Sequence, residues 1–292
     1  MQQDAAVRMT FGLSTDRPIR LIWALIPCLI NTYYDVHFEL EMGVVVRGSV
    51  RRLYPDGSHQ DYGVGEVWFH GMWEPHGWTA LEPDTEALVA MVWPPLIIDL
   101  CLPEAADLHW MAPFIVAPRN RPVVPQALRA ETRRLAYALG AALGDGERDL
   151  LLTRLLFLQL LAIVLTEPAN RQLRSCATPI TSQFLSPALM LVFSSHEHVP
   201  LKKAADACGV SIGVFAKKFQ AAMGSTFGQF ALLRRLSCAA QQLIATEDKV
   251  KRIAMEWGFA DESHFCRSFE QTYRCTPSNY RLAKRRETCL CA

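Results

Sequence analysis

The stretch Val250–Arg274 reads VKRIAMEWGFADESHFCRSFEQTYR. Ile253 and Ala254 belong to a short helical pattern that stops at Gly258, a residue that adopts the left-handed backbone needed to leave a helix. Asp261 then stands where a side-chain oxygen accepts from the free N–H groups opening a new helix. Phe265 and Phe269 follow at i and i+4, one apolar face turned inward. The segment predicts helix, glycine turn, N-cap, helix.

LKKAADACGVSIGVFAKKFQAAMG, Leu201–Gly224, repeats the pattern. Ala205 pairs with Ala254 and Gly209 with Gly258. After a one-residue insertion in the later copy, Ser211 pairs with Asp261, Phe215 with Phe265, Lys217 with Arg267 and Phe219 with Phe269. Such a unit is either a plain αα-hairpin or a helix-turn-helix whose second helix enters the DNA major groove. Charge favours the second reading. The net +1 of the 292 residues hides 15 Lys and Arg against 20 Asp and Glu in 1–185, a balance of −5, and 15 against 9 in 186–292, a balance of +6. A basic C-terminal part suits a polyanion.

Residues from about 186 to 286 resemble the DNA-binding domain of the AraC/XylS family of bacterial transcription regulators. The resemblance rests on both repeats, on the link STFGQFALLRRLSCAAQQLI, and on Ile253, Ala254, Gly258, Phe259, Phe265, Arg267, Phe269, Pro277 and Tyr280. It implies seven helices in two helix-turn-helix units. A helix over about Phe227–Thr246 would join them and set two recognition helices one duplex turn apart, about 34 Å. On the first, Ile212, Gly213, Ala216 and Lys217 should face the groove, with Lys218 reaching phosphate. On the second, Glu262, Ser263, Cys266 and Arg267 face outward, with His264 at the edge. Arg267 suits a base or phosphate contact, and Glu262 suits cytosine N4. Arg234, Arg235 and the Lys284–Arg286 run read as phosphate clamps.

From Ile19 to Ile98 short apolar runs alternate with turn signals such as PDGS, Pro55–Ser58, which predicts a small β sandwich or barrel. RGSVRRLYPDGS and GVGEVWFHGMWEPHGW resemble the cupin-like β-barrel with which many such regulators bind an effector. Gly65 and His76 keep the spacing of the second cupin motif, while Gly71 and Trp73 replace its usual proline and glycine. At most His37, Glu41 and His76 converge, and His70 needs another register, so no metal or other cofactor is expected. Trp68, Trp73, Trp78 and Trp93 describe either a packed core or a small-molecule pocket. Phe38, Arg47 and His76 complete the candidate effector contacts.

QALRAETRRLAYALGAAL and ERDLLLTRLLFLQLLAIVL, separated by GDG, predict a helical hairpin over 126–166. Its second half imitates a membrane span, but Arg154 and Gln159 interrupt it and it is short for a bilayer. A dimer-forming or buried helix fits better. The expected plan is α+β: a cupin-like sensor over 1–125, the hairpin for dimerisation, a linker over 167–185, the two helix-turn-helix units over 186–287 and a tail over 288–292. Ser186 and Pro187 would open the C-terminal domain as N-cap and first helical residue. Nine scattered cysteines and no leader-like start fit a reducing cytoplasm.

The expected function is an effector-responsive regulator, a homodimer on double-stranded promoter DNA that activates through RNA polymerase, as the family resemblance implies. Two alternatives stand: a metal-dependent cupin enzyme with a DNA-binding tail, and a ligand-independent regulator whose barrel only dimerises.

Overall fold

The computed structural model describes residues 7–28, 34–98, 100, 102–105, 108–142, 150–171, 179–223 and 225–290, with backbone alone for 179–183 and 284–290. The chain divides into two compact units, Met1–Ser182 and Gln183–Ala292.

Unit 1 holds the strands β1 (Val7–Arg8), β2 (Ile19–Ile26), β3 (Asp35–Val36), β4 (Leu40–Arg47), β5 (Val50–Leu53), β6 (His59–Tyr62), β7 (Val67–His70), β8 (Gly77–Ala80) and β9 (Thr85–Val92). An antiparallel sheet runs β2-β9-β4-β7, a second runs β6-β5-β8, and β1 pairs with β3 in parallel. The helices α1 (Pro95–Ile98), α2 (Ala112–Ile115), α3 (Gln126–Ala141) and α4 (Leu150–Thr166) follow.

β4 explains how the layers meet. It is buried from Leu40 to Val46, as a strand covered on both faces must be. Leu40, Met42 and Val44 pack with Val67 and Phe69 of β7 against Leu135 and Leu139 of α3 and Phe157 and Leu161 of α4. Each such side chain gains about 1.5–3 kcal/mol on leaving water. The alternate residues face the other way, where Val45, Trp68 and Ala87 pack with Val50 and Ala80 of the second sheet. Gly43 lies opposite Trp68 in register, and a Cβ on it would fall 2.0 Å from the indole, so only glycine admits this ring.

Among the described residues no ladder joins the two sheets, so of the expected sandwich or barrel the strands form two facing sheets. The chain changes sheet at Gly48, after a register shift between Val45 and Arg47, and a strand bent out of its ladder cannot continue the closure. The predicted hairpin helices α3 and α4 both pack on the first sheet; the GDG between them lies outside the described residues. Asn170, near the start of the expected linker, is fully buried and its amide bonds Val123 and Val164, so that stretch belongs to unit 1.

Helix α5 (Pro179–Ser194) leads into unit 2, followed by α6 (Leu201–Ala207), α7 (Ile212–Met223), α8 (Phe227–Ala245), α9 (Val250–Glu256), α10 (Glu262–Tyr273) and α11 (Pro277–Leu290). Pro187 lies inside α5 rather than at its first position, a correction to the expected start; a proline there forgoes one helical hydrogen bond. Thr226 and Gln229 form a reciprocal capping box at the start of α8. Among the described residues no helix is long and apolar enough to cross a membrane.

Candidate nucleic-acid interface and sensor cavity

The two repeats fold alike. Gly209 and Gly258 take φ of 67° and 65°, and the Val210 and Phe259 N–H groups donate back to the carbonyls of Ala205 and Ala254. Asp261 caps α10 by accepting from the His264 N–H at 2.6 Å, and Ser211 accepts more weakly from Val214 at 3.4 Å. Ala204, Ala205, Phe215 and Phe219 are fully buried in one copy, and Ile253, Ala254, Phe265 and Phe269 in the other. The phenylalanines fix which face of α7 and α10 points outward.

On α7 that leaves Ile212, Gly213, Lys217 and Lys218 exposed, with Ala216 half-buried at the edge. The Lys218 ammonium sits 4.5 Å from the Phe184 ring centroid, whereas Lys217 has no polar partner among the described residues. On α10, Glu262, Ser263 and Arg267 are exposed and Cys266 is half-buried. Arg267 likewise has no partner among the described residues. Val214, 45% exposed, and Gln220 share the outward face of α7. The period that turns Phe215 and Phe219 inward turns these two outward, a signal already present in the sequence.

Arg234 and Arg235 are corrected from phosphate clamps to buried residues of α8, 8% and 7% exposed. Arg235 donates to the carbonyls of Trp257 and Gly258 at 3.2 and 2.9 Å and stacks on Phe259 at 4.7 Å. It thereby holds the glycine turn of the second repeat, whose carbonyls lack helical donors. Burial lowers its pKa from the usual arginine range. Arg281 serves the end of α8 in the same way, donating to Leu243 and Asp248 carbonyls at 2.8 and 2.6 Å. The side chains of Lys284–Arg286 lie outside the described residues.

In unit 1 a cavity of about 240 Å³ has walls that include Phe11, Ile26, Trp68, Trp78 and Met91. Asp35, His37, Glu41 and Arg52 supply its polar groups. Of the four candidate tryptophans, Trp68 and Trp78 line this cavity. Phe38, Trp73 and Trp93 instead pack on one another, with centroids 5.3 and 5.5 Å from Phe38, and none lines the cavity. Arg47 is a surface residue paired with Glu86 at 2.6 Å, so it too is removed from the candidate effector contacts. Arg52 and Asp35 went unnoticed in sequence because their partners come from other strands.

Glu41 organises the polar end. Its Oε1 accepts from Arg52 Nη2 at 2.8 Å and Trp68 Nε1 at 2.7 Å, while its Oε2 lies 3.3 Å from His37 Nε2 and 3.2 Å from His76 Nε2. Burial opposes its charge, but Arg52 and then His76 hold its carboxyl well below the usual range. His37 and His76 each donate Nδ1–H to a backbone carbonyl, Glu39 at 2.9 Å and Glu74 at 2.8 Å. That fixes the tautomer and turns both Nε2 atoms toward Glu41. Burial depresses His37, yet the hydrogen bond and charge of Glu41 raise it overall; for His76 burial wins and the pKa falls. At His76, burial thus opposes the charged ring while Glu41, 3.2 Å away, favours it. His70 stacks on His76 at 3.9 Å, with its two nitrogens 3.0 Å from Arg52 and 3.4 Å from Arg121.

The same three groups fit a divalent metal. Tetrahedral coordination with bonds of about 2.0–2.2 Å separates donor atoms by about 3.3–3.6 Å, close to the two histidine-to-Glu41 spacings of 3.3 and 3.2 Å. The carbonyl-held Nδ1 atoms and the hydrogen-bonded Oε1 match the outer partners that orient metal ligands. Arg52 beside Glu41 opposes a cation, and His70 is too enclosed by guanidinium groups to join.

Residues 204–283 match the sequence profile of a helix-turn-helix domain. A helix-turn-helix-type transcriptional regulator of Haemophilus influenzae is 35% identical over 81 residues, 28% of this chain and 27% of that protein. The virulence regulon transcriptional activator VirF of Yersinia enterocolitica is 33% identical over 84 residues, 29% of this chain and 31% of VirF. The chain thus spans about a third of the length of these relatives. Among solved structures, ToxT of Vibrio cholerae superposes with a TM-score of 0.53 at 12% identity, over 91% of this chain and 98% of that one. Another ToxT structure, bound to an unsaturated fatty acid, gives 0.50 at 13% identity over 93% and 96%. At such identity the likeness is one of fold. The C-terminal helices, with their repeated glycine turns, thus match a helix-turn-helix domain and are similar to the corresponding part of these transcriptional regulators.

Proposed function

We propose that this chain is an effector-responsive transcription regulator that binds double-stranded promoter DNA through two helix-turn-helix units. The observation that carries the reading is the equivalence of Lys217 and Arg267, cations at matched positions of α7 and α10, exposed and without polar partners among the described residues. DNA phosphates and guanine edges are the natural counterparts of such groups. The cavity between the sheets of unit 1 takes the effector, and α3 and α4 pair two copies into a homodimer. Exposed Leu151 and Leu155 on α4 support that pairing. RNA polymerase is the partner through which bound protein acts. The fatty acid held by ToxT supports an effector that is small and largely apolar.

Full-length protein selects an operator from a random duplex library, and fluorescence anisotropy then gives its affinity. Lys217→Ala and Arg267→Ala each weaken that operator by about tenfold. Unchanged affinity in both variants would remove α7 and α10 as the recognition helices.

The convergence of His37 Nε2 and His76 Nε2 on one Glu41 oxygen, at 3.3 and 3.2 Å, favours a second reading of unit 1 as a sensor for a divalent metal such as zinc. His37, Glu41 and His76 would hold the ion, with the cavity at its open position. Elemental analysis of chelator-free protein then finds about one equivalent, retained by wild type and lost in His37→Ala. Metal-free protein whose melting temperature does not move on adding zinc would sink this reading.

A further inference from the structure

We propose that the two recognition helices divide their work unequally: α10 discriminates bases, whereas α7 anchors the duplex with little base discrimination. The inference rests on the DNA-binding reading above. It follows from two copies of one backbone that carry different outward chemistry. The inward sides are equivalent, with Phe215 and Phe219 matched by Phe265 and Phe269, all fully buried. The N-terminal half of a recognition helix is the part that meets base edges. There, α10 presents Glu262, Ser263 and His264 in succession, all exposed and all polar. The matching residues of α7 are Ile212, Gly213 and Val214, also exposed, and none has a polar side-chain atom.

Ile212 and Val214 are each 45% exposed, large apolar groups standing in water at the tip of the helix. Contact with thymine methyls suits them, and such contact lacks the directional bonds that reject a wrong base. The remaining pair differs too. Arg267 carries a planar fork that binds guanine through two parallel bonds, whereas Lys217 is a point charge equally suited to phosphate. Gln220, which could read adenine, sits in the C-terminal half of α7.

The test measures the affinity of the full chain for every single-base-pair substitution of its selected operator. One segment should lose about 5- to 150-fold per mismatch, and a second, one duplex turn away, less than about 3-fold. Arg267→Ala flattens the preference at one base pair of the strong segment. Lys217→Ala weakens all sequences alike and reduces the salt slope by about one. A side chain at Gly213 meets nothing within 4 Å, so Gly213→Asn folds and adds discrimination to the weak segment. Equal discrimination in both segments, or a base-specific change with Lys217→Ala, overturns the inference. Full chain that binds no duplex at all overturns the DNA-binding reading itself, and this inference with it.

Discussion

Glu41 ties four side chains, two from strands and two from the segments between strands, to one carboxylate. Removing its charge leaves Arg52 buried without its counter-ion, so Glu41→Gln costs about 3–5 kcal/mol at neutral pH. The pH dependence has a definite sign. The folded pKa lies below the ordinary 4.5, so the stabilisation is complete above that value and is lost as pH falls through the folded pKa. The gap between wild type and variant therefore closes in acid. Denaturant titrations followed by tryptophan fluorescence check this, since six of the seven tryptophans lie in unit 1. A gap that stays constant from neutral pH to acid would mean that Glu41 does not act through its charge. Sequence spacing suggested Glu41 as a ligand beside His37, because both lie on one short stretch. It gave no hint of Arg52, whose guanidinium arrives from a strand in the other sheet.

The helix–turn–helix pairs were legible because each is local. Period, glycine and cap all fall within about 25 residues, and the repeat supplied an internal control. Their two turns are not equivalent, however. Gly209 needs only its left-handed φ, since a Cβ there meets nothing within 4 Å. Gly258 needs the same φ and also has the Glu197 backbone beside it, where a Cβ would lie 2.8 Å from Cα. Gly209→Ala should thus cost about 1 kcal/mol, and Gly258→Ala at least about twice that. Unfolding midpoints read by circular dichroism at 222 nm would distinguish them, and equal losses would contradict the close approach. Arg235 shows where local reading stopped. On the helical pattern of α8 it looked like one more outward cation, yet the turn after α9 recruits it inward. Pro187 misled for the opposite reason, because a proline suited to a helix start also survives within α5.

For the molecule as a whole, the charge division between an acidic first part and a basic second part followed from composition, and it survives as two compact units. The sequence also determined the strand-rich character of unit 1, the α3–α4 pair and the inward phenylalanines of both repeats, since these depend on period and short-range caps. Tertiary structure decided the rest. It decided between sandwich and barrel, with two facing sheets and no ladder between them among the described residues, because closure depends on hydrogen bonds between strands distant in sequence. It selected Trp68 and Trp78 over Trp73 and Trp93 as cavity walls, because alternation along a strand leaves open which face will be enclosed. It also withdrew Arg234 and Arg235 from the surface; for Arg235 the reason is that a long side chain goes wherever unpaired carbonyls and aromatic faces repay its desolvation, and those lie on other elements.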